Sequence, residues 1–324
     1  MKKMKKLMIF LIILALILSS LLFLPKPKFD RVNPFLAQNR PLVMAHAGGK
    51  GLEPDNTMRA YLNSFELGVD VLEMDVMMTA DGVLVLLHGE NNTGNTRSHS
   101  NCDTVVWKEN YEDLYQTCNF GYNYKDQEDH YPFRDMTHDE WVAANVYLPT
   151  LEEVFQTFGK NTLYNIEIKA DSDAPRLDTA DALYALIDQH DLAEYVLVAT
   201  AFDDINEHLI ENYPDLYVST SYGSAQKRII SIYTLSSLFS KRPVHAAVQV
   251  PTSYTLPVIG KLSLDTKHLI RTLHEHNMAM HYWTINDEET MRFLISQGAD
   301  GIITDYPDLL ISILDEIYAE NPSS

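Results

Sequence analysis

The chain is short of three things. It holds two cysteines in 324 residues, Cys102 and Cys118, so no disulfide-rich scaffold can be built from it and no zinc pattern surrounds the pair. It has no glycine-rich dinucleotide fingerprint. It is also poor in positive charge, with 25 Lys and Arg against 45 Asp and Glu. Six of those 25 lie in residues 1–28, where there is no acidic residue, which leaves 19 against 45 and a net charge of −26 for the rest. That balance argues against nucleic acid as a partner, because phosphate contacts need Lys and Arg. It also argues against broad electrostatic adhesion to anionic lipid.

Apolar residues make up 46% of the chain, enough for one large α/β domain with a substantial core. The N-terminus differs in kind. Lys2, Lys3, Lys5 and Lys6 precede an 18-residue run, Leu7 to Leu24, whose only polar members are Ser19 and Ser20, and Pro25-Lys26-Pro27-Lys28 ends it. Such a run can just span a bilayer core, and the lysines before it predict a cytoplasmic N-terminus. Residues 1–28 are therefore expected to form a transmembrane signal anchor. A cleaved signal peptide is the alternative, disfavoured by the length of the run and the lack of a small-x-small site close behind it. Either reading places the catalytic domain outside the cytoplasm, on the periplasmic or extracellular side. In that oxidising setting a Cys102–Cys118 disulfide is the natural reading, with two free thiols as the alternative.

Residues 29–41 read as a linker and 42–318 as the folded domain. From Leu42 onward, β-type runs alternate with amphipathic helical stretches. The runs are Leu42–His46, Val69–Val76, Val83–His88, Leu163–Ile168, Tyr195–Ala201, Leu216–Thr220, His245–Val250, Met278–Ile285 and Gly301–Thr304. The clearest helices are Thr57–Leu67, Leu151–Phe158, Asp178–Gln189, Thr266–His276 and Glu288–Gln297. Repeated strand–helix units predict a (β/α)₈ barrel, with a doubly wound open sheet as the alternative. There are nine runs for eight places, so at least one lies outside the barrel. Met77 to Gly82 is too short for a crossover helix, so the runs on either side are not joined in the regular way. The polar, tyrosine-rich stretch from about 91 to 147 breaks the rhythm after the third strand and predicts a cap over the barrel mouth.

Barrel enzymes draw catalytic groups from the C-terminal ends of several strands. Glu73 and Asp75 are two apart on one strand and share a face. Glu167 ends another strand and completes an all-oxygen set suited to Ca²⁺ or Mg²⁺. On a solvent-facing edge strand, Glu73 and Asp75 would need no cation. Lys169 shares the face of Glu167, either to meet a phosphate oxygen or to form an internal salt bridge. His46 and His88 each end an apolar strand; together with the carboxylates they suggest an acid–base pair rather than two structural histidines. His99, His130, His138, His245, His274, His276 and His281 lack such a context and read mostly as surface or cap residues.

In order along the chain these pieces resemble the glycerophosphodiester phosphodiesterase family. Its motifs have counterparts in His46-Ala47-Gly48, Pro54-Asp55-Asn56-Thr57, Glu73-Met74-Asp75-Val76, Thr79-Ala80-Asp81-Gly82, His88-Gly89 and Pro149-Thr150-Leu151-Glu152-Glu153. They continue through Glu167-Ile168-Lys169, Trp283-Thr284-Ile285-Asn286 and Asp300-Gly301-Ile302-Ile303-Thr304-Asp305-Tyr306-Pro307. The resemblance implies a TIM barrel that hydrolyses glycerophosphodiesters to glycerol 3-phosphate and an alcohol. It implies His46 and His88 as acid and base, Glu73, Asp75 and Glu167 as metal ligands, and Lys169 and Trp283 facing substrate, with Glu53, Asp55 and Asn56 supporting. Three positions depart from the family pattern: Ala47 for its usual Arg, Gly89 for Asp, and Asp55 for Glu. The alternatives are a lysophospholipase D-like activity on lysophospholipids, and a catalytically weak binding protein on the same barrel.

Overall fold

The computed structural model describes residues 5–10, 12–13, 26–90, 93–170, 173–234, 242–256 and 260–319. In chain order the strands are β1 (Leu42–Ala45), β2 (Val71–Met78), β3 (Leu84–Leu86), β4 (Leu163–Ile168), β5 (Val196–Ala199), β6 (Tyr217–Val218), β7 (Ala247–Val250), β8 (Ser253–Leu256), β9 (Gly260–Ser263), β10 (Ala279–Tyr282) and β11 (Gly301–Thr304). Eight of them run parallel in the order β6-β5-β4-β2-β1-β11-β10-β7. A parallel bridge from Ser219 to Ala247 joins the two ends, so the sheet closes into a barrel and the open-sheet alternative falls.

The run that does not fit is β3. It pairs antiparallel with β2, Val76 opposite Leu86. The turn Thr79–Gly82 explains this: a parallel return needs a crossover of a dozen residues, whereas an antiparallel one needs only a tight turn. Here Thr79 Oγ1 donates to Asp81 Oδ1 at 2.6 Å, and Gly82 takes φ +83°. β8 and β9 form a separate hairpin.

Helices cover the outside of the barrel. They are α1 (Met58–Leu67), α4 (Leu151–Phe158), α5 (Arg176–Gln189), α6 (Asp203–Asn212), α7 (Tyr222–Tyr233), α8 (Lys267–Glu275), α9 (Glu288–Gln297) and α10 (Pro307–Ala319), while α2 (Tyr111–Thr117) and α3 (His138–Ala143) belong to the cap. Their starts follow local chemistry: Thr57, Thr266 and Asp287 cap with their side chains, and Thr150 with Glu153 makes a reciprocal capping box. Strand alternation then sorts side chains by face. Leu72, Met74, Val76, Tyr164, Ile166 and Ile168 pack under the helices, and the residues between them point into the barrel.

Residues 29–37, within the stretch read as a linker, close the barrel floor. Phe29 and Phe35 pack with Leu197, Tyr217, Ala247 and Ala279. Asn33 Nδ2 donates to the Ala246 carbonyl at 2.8 Å, and His281 Nε2 meets the Phe35 carbonyl at 2.9 Å.

The expected membrane anchor is corrected. Among the described residues no helix is long and apolar enough to cross a membrane. Residues 5–10 and 12–13 are helical and exposed, and the rest of the apolar run, 11 and 14–24, lies outside the described residues. Run length and composition alone had suggested a span. The anchor, the membrane partner and the extracytoplasmic placement argued from such a span are therefore not supported.

The cap is present and ordered by its own small cores. Cys102 and Cys118 are bonded, with Cα atoms 5.5 Å apart. Val106, Leu114, Cys118, Phe120 and Leu148 pack against Met77, Val85 and Leu87 beneath them. Phe133, Trp141 and Val146 form a second cluster.

Candidate active site

The carboxylates sit where β2 and β4 run side by side. Their register sets Glu73 opposite Asn165 and Asp75 opposite Glu167. One oxygen from each of Glu73, Asp75 and Glu167 lies within 4.8 Å of the others. Glu73 and Asp75 are 3% and 1% exposed, so they are interior charges and not edge-strand residues.

Each carboxylate has a specific partner. The Ala47 N–H donates to Glu73 Oε2 at 2.6 Å. Ala47 can aim it there because it adopts the left-handed conformation at φ +48°. Gly48 follows at φ +78°, and a Cβ on it would stand 2.9 Å from Ala60 Cβ, so the turn needs glycine to lie against α1. Asn56 clamps Asp75 from two sides: its Nδ2 donates to Oδ2 at 3.0 Å, and its Oδ1 accepts from the Asp75 N–H at 3.2 Å. The Tyr61 hydroxyl holds Asn56 Oδ1 at 2.8 Å. Lys169 Nζ lies 3.0 Å from Glu167 Oε2 and 3.3 Å from Asp75 Oδ1.

The electrostatics call for a cation. Burial, and then the charge of Asp75, push the Glu73 carboxyl up to about 8. Burial also opposes charge on Asp75, but Lys169, His88 and His46 outweigh it and hold its carboxyl below the usual range. Burial works against the Lys169 ammonium, yet Asp75 and Glu167 raise it. One buried oxygen, Asp75 Oδ1, accepts no hydrogen bond and meets Lys169 only as an ion pair. An unsatisfied buried carboxylate oxygen beside two more carboxylates fits a hard divalent cation, whose ligands are oxygens.

Both histidines lie beside this cluster. His46 Nδ1 pairs with Asp305 Oδ1 at 2.6 Å. Burial alone would lower the pKa of His46; the Asp305 contact and the charges of Glu73 and Asp75 reverse that and raise it. His88 Nδ1 meets the Gly89 carbonyl at 3.0 Å. Trp283, just beyond β10, is half-exposed. Of the supporting residues, Glu53 binds Arg59 at 2.6 Å and Asp55 binds His99 at 2.9 Å.

Three residues of this site were not given a role by sequence reasoning. Asp305 ends β11 as the chosen residues end their strands, so the same rule could have found it. Lys50 Nζ stands 3.8 Å from Asp305 Oδ1 with its side chain about two-fifths exposed. His99 arrives from the cap, and nothing local announces it.

A closed parallel barrel with an acidic, cation-binding cluster and two imidazoles at one end defines a (β/α)₈ enzyme. Comparison with known proteins narrows this. Residues 46–309 match the model of the glycerophosphoryl diester phosphodiesterase family. The chain is 25% identical over 313 residues to a glycerophosphodiester phosphodiesterase of Bacillus subtilis, covering 92% of this chain and 94% of that one. It is 26% identical over 317 residues to lysophospholipase D GDPD3 of Homo sapiens, covering 91% and 92%. Among solved structures it resembles the glycerophosphoryl diester phosphodiesterase domain of a Mycobacterium tuberculosis protein, with TM-score 0.68 and 16% identity over 86% of this chain and 100% of that one. It also resembles an Oleispira antarctica phosphodiesterase in complex with sn-glycerol 3-phosphate, with TM-score 0.62 and 20% identity over 85% and 97%. The chain belongs to the glycerophosphoryl diester phosphodiesterase family. It is an enzyme, and its general reaction is metal-dependent hydrolysis of glycerophosphodiesters.

Proposed function

We propose that His46 and His88 are the acid–base pair of this hydrolysis, that Glu73, Asp75 and Glu167 hold Ca²⁺ or Mg²⁺, and that Lys169 and Trp283 face a glycerophosphodiester that is cleaved to glycerol 3-phosphate and an alcohol. The observation that carries the reading is how the rings are held. Each Nδ1 is engaged, His46 by Asp305 and His88 by the Gly89 carbonyl. Each Nε2 is thereby left for chemistry beside the acidic cluster. One imidazole takes the proton of the nucleophile, which is water or the substrate's own glycerol hydroxyl; the other gives a proton to the leaving oxygen. The bound cation supplies charge neutralisation at a phosphate oxygen. Lys169, locked between Glu167 and Asp75, orients those carboxylates and keeps a fixed positive charge at the phosphate.

The test is turnover of a glycerophosphodiester panel with EDTA and with added Ca²⁺ or Mg²⁺. His46→Ala and His88→Ala should each lower turnover by about 10²–10⁴ with the fold intact. Full activity in EDTA after dialysis removes the metal assignment. A variant that keeps more than about a tenth of the rate removes that histidine from the chemistry.

A second reading is favoured by one observation: the human lysophospholipase D is as similar to this chain as the bacterial diesterase is. On that reading the substrate keeps one acyl chain. Lysophosphatidylcholine assayed beside glycerophosphocholine separates the two.

A further inference from the structure

We propose that the cap completes the active site with His99, a positioning residue that fixes the ring of His88. This rests on the reading of His88 as an acid–base group and goes beyond it by giving the cap a part in the chemistry.

The first observation is a long-range ion pair. His99 Nδ1 lies 2.9 Å from Asp55 Oδ2 and 3.2 Å from Oδ1, joining the cap to the loop before α1. Both side chains are largely buried. Burial opposes charge on the His99 ring, but the Asp55 carboxylate outweighs it, with the Gly89 carbonyl acting in the same sense.

The second observation is what orients His88. Among the described residues no carboxylate is hydrogen-bonded to its ring; its Nδ1 meets the backbone carbonyl of Gly89 at 3.0 Å. The centroid of the His99 ring is 6.5 Å from that of His88, the two planes tilted by 43°. A ring held by one hydrogen bond can still pivot about it. His99, anchored by Asp55, lies beside the ring from the cap side and limits that pivot.

The third observation is that position 89 cannot take a side chain that would do this work itself. Gly89 has φ +72°, and a Cβ there would stand 2.9 Å from the N and Cα of Gly94. The Glu90 N–H donates to the Asn95 carbonyl at 2.9 Å, so the turn is packed backbone against backbone. Position 89 therefore leaves the holding of His88 to its neighbours, of which the anchored His99 is one. Asp55 also precedes Asn56, the residue that clamps Asp75, so the same anchor steadies the acidic cluster.

The experiment uses the full chain loaded with Mg²⁺. Long-range ¹H–¹⁵N correlation of the histidine side chains reads the tautomer of His88, expected as Nδ1–H in the wild type. His99→Ala should lower kcat by on the order of 10–100-fold with a smaller change in KM, as loss of orientation does, and His88 should lose its single tautomer. Asp55→Asn, which leaves the cap sequence untouched, should act in the same direction. The proposal is overturned if both variants stay within about twofold of the wild-type kcat, or if kcat falls while His88 keeps its tautomer. The tautomer is read without turnover. A His88→Ala enzyme of normal rate would remove the acid–base reading, and the His88 signal in His99→Ala would still decide this one.

Discussion

Removing the divalent cation leaves Glu73 buried beside Asp75, and the consequences can be worked out from that pair. Desolvation, and then Asp75, raise the Glu73 carboxyl from 4.5 to about 8. At pH 7 the metal-free protein therefore carries a proton on Glu73. Ionising that residue in the metal-free site costs about 5 kcal/mol more than in the unfolded chain, at 1.36 kcal/mol per pH unit. Because the folded value is the higher one, this group's contribution to stability is complete below its ordinary pKa and is lost as pH rises towards 8. Asp75, held low, acts in the opposite sense; its contribution is lost only in more acidic solution, outside this window. Two outcomes are expected. The Tm of EDTA-treated protein falls between about pH 5 and 8, while that of the loaded protein does not. Metal binding at pH 7 releases about one proton, so affinity rises about tenfold per pH unit and levels off near pH 8. Titration calorimetry in two buffers of different ionisation enthalpy counts the proton, and calorimetric melts with and without EDTA give the stability. Metal affinity independent of pH from 6 to 8, with no proton released at pH 7, would refute this account of Glu73.

Three further outcomes are expected. Asp305→Asn removes the partner of His46 Nδ1, so turnover should fall on the order of 10²-fold, and the limb of the pH–rate profile that belongs to His46 should move to lower pH; an unmoved limb would show that Asp305 does not tune His46. Lys50 Nζ is a partly exposed ammonium at the site, 3.8 Å from Asp305 Oδ1, and is expected to meet the substrate phosphate beside Lys169. Lys50→Gln should then raise KM about tenfold with less effect on kcat, the size of one charge-assisted hydrogen bond; recovery in Lys50→Arg supports that role, and an unchanged KM in Lys50→Gln removes it. Reduction of the Cys102–Cys118 bond should cost about 3 kcal/mol of stability through the loop it closes; equal urea midpoints with and without reductant would contradict that.

Much of the barrel can be read from local patterns. Each of the nine β-type runs contains a strand, because apolar β-branched runs bounded by turn residues leave the backbone little alternative. Leu151–Phe158 and Glu288–Gln297 are helices with the bounds their periodicity suggests. Helix α6 is not among the clearest amphipathic stretches. Its sequence, DDINEHLIEN, is mostly polar, and it is placed by the burial of Ile205, Asn206 and Leu209 against the sheet. Helices α7 and α10 likewise are not among the clearest amphipathic stretches.

Local spacing also determined that Glu73 and Asp75 share one face of β2 and that Glu167 and Lys169 follow a common period along the next barrel strand, since side chains on a strand alternate whatever surrounds them. Only the tertiary structure decided who their neighbours are. His46 meets Asp305 across 259 residues, and Asp55 meets His99 across 44. His276 and His281, which looked like surface or cap residues, are fully buried, His276 against the Pro27 carbonyl and His281 against that of Phe35. Such contacts follow from closing eight strands into a ring and folding a cap and an N-terminal segment onto its two ends. Period and propensity act over a few residues and set which way a side chain points. What it points at is set by ring closure, which brings together residues that no local pattern relates.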